Sequence, residues 1–185
     1  SEFLRERGPY FTVRRVAIEH DMIHAPAFFV AAIRAPAYLQ PVTLHIDSGG
    51  GSFYEGLTVY NALRQRTFST VATIGAMCGS AATIITCGCT LVLMPKSSSF
   101  FVHQTLKLTV GHAKEHRDAL GWLEHADKLL IDLYAGRTKQ STKIIERLVE
   151  GNGDGTVLSA DEALRWGFVD QILQPAATRK TANEM

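Results

Sequence analysis

The sequence predicts an α/β protein built on a largely parallel sheet covered on both faces. Two observations carry that expectation. Short runs of β-branched and aromatic residues alternate along the chain with amphipathic stretches of helical period. The 185 residues, 46% apolar and 20% charged, also have the size and composition of one globular domain with its own core. No repeat or linker-like run divides the chain, so one domain over 1–185 is expected, with flexible ends at 1–9 and 175–185.

Tyr10 to Ile18 reads as the first strand. Ala25 to Ala35 places Phe28, Phe29, Ala32 and Ile33 at helical spacing, with Pro26 suited to the first turn. Val42 to Ile46 is a strand that runs into a glycine-rich segment. Tyr54 to Arg64 follows as an amphipathic helix, with Arg64 at the end where the helix dipole favours cations. Ser69 to Ile74 is a strand, Gly79 to Cys87 a small-residue helix, and Thr90 to Met94 and Phe100 to Val102 are further strands. A long helix is expected over Ala113 to Ala135, with Leu120, Leu123, Ala126, Leu130 and Leu133 on one stripe. Ser141 to Val149 and Ala160 to Arg165 close the series. Ser159 caps the last helix and Glu162 sits at the third position after it.

Composition excludes several functions. The net charge of +1 lacks the basic excess of a nucleic-acid binder. The longest apolar stretches, Pro26 to Ile33 and Ala81 to Ile85, fall short of the roughly 20 residues of a bilayer helix. Ser1 to Arg7 is charged and has no apolar signal core, so no targeting segment is expected, and Ser1 in place of Met suggests a trimmed start. Cys78, Cys87 and Cys89 lie within twelve residues of one another, an odd cluster that points to the cytoplasm or another reducing compartment.

Four segments carry the chemistry. Ile46-Asp47-Ser48-Gly49-Gly50-Gly51-Ser52 joins a strand to a helix, and its amides can bind an anion or a developing oxyanion. It is neither a Walker loop nor a dinucleotide fingerprint, so no nucleotide, other cofactor or metal is expected. Cys78-Gly79-Ser80-Ala81-Ala82-Thr83 sets a serine between strand and helix, where a nucleophile can act and the next amide can face an oxyanion. His103 ends a strand 23 residues later and can enter a cleft as a base. Asn152 to Ala163 holds Asp154 in a glycine-rich turn. Each segment also has a plainer reading: a flexible turn, a helix cap, a surface histidine, an Asx turn.

Taken in order, these segments resemble the Clp protease proteolytic subunit (ClpP) family of serine peptidases. Ile46 to Ser52 is similar to the family's Asn-Ser-Pro-Gly-Gly segment, and CGSAAT to its nucleophile segment, particularly in phage-type members. Phe101-Val102-His103-Gln104 resembles its histidine segment, and Leu158 to Leu173 its C-terminal signature. The resemblance implies a ClpP/crotonase-like fold of stacked ββα units, in which Ala113 to Ala135 is the handle helix joining two rings. It implies hydrolysis of polypeptides inside a homo-oligomeric chamber of two stacked seven-membered rings, fed by an AAA+ unfoldase. Ser80 matches the nucleophile and His103 the base. The amides of Gly51 and Ala81 match the oxyanion hole, with Gly50 on the substrate-binding edge.

The sequence also departs from the family pattern. Gly49 stands where proline is common. One residue more than expected separates Gly75 from Ser80, and an ungapped reading would put Gly79 at the nucleophile position. Gly155 occupies the expected place of the acid, so Asp154 is the candidate and Asp161 the fallback. Cys78 is better read as a small buried side chain than as a nucleophile. An active peptidase is therefore expected, including a capsid-maturation variant. Its alternatives are a catalytically inactive ring subunit and a crotonase-type acyl-CoA enzyme.

Overall fold

The computed structural model describes residues 14–19 and 41–174. The helix expected at Ala25–Ala35, the start of the first strand and the two chain ends lie outside them. The described elements are β1 (Arg14–Glu19), β2 (Val42–Ser48), α1 (Phe53–Arg64), β3 (Thr70–Gly79), α2 (Ala81–Cys87) and β4 (Leu91–Pro95). They continue with β5 (Ser99–Val102), α3 (Ala113–Thr138), α4 (Thr142–Glu150), β6 (Thr156–Ser159), α5 (Ala160–Trp166) and β7 (Gln171–Leu173).

The strands form one sheet in the order β1-β2-β3-β4-β7, and β5 branches from the far end of β3 and pairs with β6. Every pairing is parallel except β5 with β6. Side chains alternate across a strand. Val42, Leu44 and Ile46 are accordingly buried with Ala72, Ile74, Val92 and Met94 on one face. That face shares a core with Val59 and Leu63 of α1, Ile84 and Ile85 of α2, and Leu130 and Tyr134 of α3. On the opposite face Thr43, His45, Val71, Thr73, Leu91 and Leu93 are only half-buried, so among the described residues the expected cover is complete on one side alone.

β3 carries the detail that matters most for the site. It pairs with β2 in step from Val42–Thr70 to Ile46–Ile74, and the next partners are Ser48 and Cys78. The extra β3 residues form a bulge at Gly75, Ala76 and Met77. Beyond it Met77, Cys78 and Gly79 pair with Ser99, Phe100 and Phe101 of β5.

The expected strand at Ser69–Ile74 thus runs on to Gly79, and the helix placed at Gly79 begins at Ala81. Pairing with β5, distant in sequence, overrides the local signal of small residues. β6 and β7 lay outside the expected elements for the same reason. Their strand character comes from pairing with β5 and β4.

The capping box at the start of α5 forms as expected. Glu162 N–H donates to Ser159 Oγ, and the Glu162 carboxylate accepts from Ser159 N–H at 2.9 Å. The long helix differs. α3 buries Ala119, Ala126, Leu130, Tyr134 and Thr138, while Leu120 is 55% exposed. Its inward stripe follows an i, i+4 row that leaves Leu120 on the outer face. Among the described residues no helix is long and apolar enough to cross a membrane.

Candidate active site

Ser80 stands at the corner between β3 and α2 with φ 52° and ψ −127°. A non-glycine residue in that region costs on the order of 1–3 kcal/mol and persists only where its surroundings hold it. Here they do. Ser80 N–H donates to the Phe101 carbonyl at 2.9 Å, and the Ser80 carbonyl accepts from Thr83 N–H at 3.0 Å and Thr83 Oγ1 at 2.6 Å. Thr83 in turn meets the buried hydroxyl of Tyr134, which ties the corner to α3. Burial pushes the Tyr134 phenol above its ordinary range.

The glycine segment lies directly against this corner. A β-carbon on Gly50 would overlap the Ser80 β-carbon and stand 3.0 Å from Ser80 Oγ. One on Gly79 would stand 2.9 Å from the Gly49 carbonyl oxygen. Gly50 N–H donates to the buried Ser48 Oγ at 3.2 Å, which folds the loop back on itself. Ala81 supplies the first amide of α2, and such amides have no partner within the helix.

His103 follows β5, whose Phe100 and Val102 are buried. Its ring stacks on Phe101, with centroids 5.0 Å apart and planes at 29°. Nδ1 of His103 meets the Gln104 carbonyl oxygen. A carbonyl only accepts, so Nδ1 is the donor in this contact and Nε2 is the nitrogen left for another partner. The chain beyond is anchored firmly. Gln104 N–H donates to the Val149 carbonyl, and Asp127 Oδ1 accepts from Thr105 N–H at 2.6 Å and Thr105 Oγ1 at 2.8 Å.

A cleft of ≈ 410 Å³ brings Ser80, Ala81, Gly49, Gly51 and His103 together. A second hollow of ≈ 170 Å³ is lined by His103 together with Gly153, Asp154 and Gly155. His103 therefore borders both spaces, with Ser80 in one and Asp154 in the other. Gly155, at φ 86°, packs so closely on the histidine that a β-carbon there would overlap His103 Cβ and the Val102 carbonyl oxygen. Asp154 is exposed on the turn after α4. Asp161 points elsewhere, toward Lys96 Nζ at 3.9 Å on the surface of α5.

Cys78 is fully buried, and burial pushes its thiol well above the ordinary range. Cys87 and Cys89 are pushed up to about 12 by the same cause. All three are free thiols that pack as small apolar side chains.

Sequence reasoning passed over the outer wall of the cleft. Phe53, Tyr54 and Trp122 form an edge-to-face cluster, with the Tyr54 and Trp122 centroids 5.8 Å apart and Lys107 Nζ 4.7 Å from the Trp122 centroid. The one signal was a tryptophan, Trp122, between Leu120 and Leu123 on the long helix. With a hydroxyl at a strained corner, an imidazole and a glycine loop beside it, the cleft has the parts of a nucleophilic acyl-transfer site.

Comparison with known proteins agrees with this class of site. The family model described as Clp protease matches residues 18–176. Over 140 residues the chain is 26% identical to the ATP-dependent Clp protease proteolytic subunit 1 of Salinibacter ruber (strain DSM 13855 / M31), covering 72% of this chain and 57% of that protein. The chain thus spans little more than half the length of this curated relative. It belongs to the Clp protease family, and its mixed α/β architecture is the ClpP fold.

Proposed function

We propose that the chain is a serine endopeptidase that hydrolyses peptide bonds of unfolded polypeptides inside a homo-oligomeric chamber. The observation that carries this reading is the strained corner of Ser80 opening into the cleft that His103 also lines. Ser80 Oγ attacks the peptide carbonyl while its proton passes to Nε2 of His103. The oxyanion accepts hydrogen bonds from the Gly51 and Ala81 amides, and Gly50 offers its main chain to the substrate backbone. The amine leaves with the proton from His103. Water, activated by the same imidazole, then releases the acyl group. Asp154, which lines the smaller hollow with His103, stabilises the charge of the imidazolium.

Leu106, Leu108 and Val110, in the segment between β5 and α3, are 81%, 94% and 86% exposed. Apolar side chains at alternate positions of a segment outside the helices and strands suit contact with a second copy of the chain. This supports contact between copies of the chain; the stacked pair of seven-membered rings and the AAA+ unfoldase that supplies polypeptide are carried over from the family resemblance alone, and the cytoplasmic location from the clustered cysteines. Labelling with a fluorophosphonate probe tests the chemistry. The assembled wild-type protein should label and Ser80→Ala should not. A wild-type protein that never labels overturns the reading.

One observation favours a second reading, a catalytically inactive ring subunit. The acid position holds Gly155, and His103 Nδ1 meets a backbone carbonyl rather than the Asp154 carboxylate. Formation of mixed rings with an active homologue, without labelling of this chain, would favour it.

A further inference from the structure

We propose that Asp47 is a positioning residue that decides which residue of β3 stands at the corner entering the cleft. The inference rests on reading Ser80 as the nucleophile. Asp47 lies between Ile46 and Ser48, the β2 residues that pair on either side of the β3 bulge. Its Oδ1 accepts from Ala76 N–H at 3.1 Å and from Met77 N–H at 3.0 Å. A β-carbon on Gly75 would stand 2.7 Å from Asp47 Cγ, so the carboxylate lies flat on the bulge and only glycine leaves it room. From the other side, Ser98 Oγ donates to the Gly75 carbonyl.

The physical reason is register. A bulge is surplus chain, and surplus chain can in principle sit at several places along a strand. Side chains alternate with a period of two, so a slip by one residue turns every side chain over. β3 is held in step with β2 before the bulge and with β5 after it. If the bulge took up one residue more or one fewer, the pairing of Gly79 with Phe101 and the bond from Ser80 N–H to Phe101 would shift together. Gly79 or Ala81 would then occupy the corner, and the hydroxyl would leave the cleft. A carboxylate oxygen that takes two consecutive amides is a charge-assisted clamp at one site. Asp47 does not line the cleft. It acts through three residues of backbone.

Two measurements on the whole 185-residue chain test this. Hydrogen exchange across residues 75–80 reads the clamp without reference to chemistry. Fluorophosphonate labelling, with kcat and KM on a peptide substrate, reads its consequence. Asp47→Ala should speed exchange at Ala76 and Met77 about tenfold and lower labelling and kcat about tenfold, with KM unchanged. Asp47→Asn keeps an acceptor oxygen and should restore both. If the alanine chain does not fold, Asp47→Glu, which moves the acceptor by one methylene, takes its place with the same expected loss. An alanine chain that exchanges and labels like wild type overturns the inference, as does an asparagine chain as impaired as alanine. If wild type itself never labels, the peptidase reading fails, and exchange at Ala76 and Met77 alone decides whether Asp47 clamps the bulge.

Discussion

Gly50 lies against Ser80 so closely that a β-carbon at position 50 would overlap that of the serine. The loop backbone also sits at φ 120° there, a conformation that side-chain-bearing residues rarely adopt. Gly50→Ala must therefore move either the loop or the corner. A displacement near 1 Å lowers turnover by about 100-fold. Fluorophosphonate labelling should fall to that degree, and the melting temperature should fall as well, because Gly50 is itself buried. Unchanged labelling would separate the loop from the chemistry.

Gly155 bears the same relation to His103. A methyl group there would overlap His103 Cβ and the Val102 carbonyl, and the backbone stands at φ 86°. Gly155→Ala should push the imidazole out of line and cut labelling at Ser80 by about 100-fold. Substituting Asp at this position, the residue type the family pattern expects, should be no better, because its β-carbon meets the same atoms. Restored or raised activity in Gly155→Asp would overturn this.

The role of Asp154 is read by Asp154→Asn. Where a carboxylate alone holds the tautomer of a catalytic histidine, that change costs about 10⁴-fold in kcat. Here the Gln104 carbonyl already engages Nδ1. The expected loss is therefore smaller, about 10- to 100-fold, arising from lost stabilisation of the imidazolium. Steady-state kinetics on a fluorogenic peptide checks it, and Asp161→Asn should leave kcat unchanged.

The buried thiols set a pH dependence. Unfolded, they ionise near about 8.5. Folded, Cys87 and Cys89 are raised to about 12 and Cys78 is raised as well. Above about pH 8.5 the folded chain holds protons that the unfolded chain loses, so the stability they contribute is complete below that value and drains away as pH rises toward 12. Melting curves should shift downward through this alkaline range. Thiol-reactive dyes should find no target at pH 8 until denaturant is added. Rapid labelling of the native protein would contradict the burial.

Leu108 is 94% exposed in the segment between His103 and α3. If that segment pairs with another copy, Leu108→Glu should shift sedimentation toward smaller assemblies and leave the monomer fold, read by circular dichroism, intact. An unchanged sedimentation profile would place the contact elsewhere.

Much of the fold was legible because its signals are local. The apolar alternation of Val42, Leu44 and Ile46, the cap at Ser159 with Glu162, and the spacing of Ala126 and Leu130 each arise within one element. β6 and β7 were not legible, since four and three residues become strands only by pairing with partners far along the chain. Leu120 went astray because a leucine stripe and a buried stripe differ by one helical position. The site divides in the same way: the glycine loop, Ser80 and His103 announce themselves by residue type, whereas Phe53, Tyr54 and Trp122 meet only when α1 and α3 pack.

The sequence by itself determined the class of fold, the family and the residue types of the site, because these depend on composition, period and order. Only the tertiary structure decided where Ser80 stands. One surplus stretch in β3 could be accommodated at several places, and sequence order alone allows Gly79 or Ser80 at the corner. The choice comes from bonds between distant segments: Asp47 to Ala76 and Met77, Gly79 against Phe101, and Ser80 N–H to Phe101. Such register is a property of paired strands, and no single strand carries it.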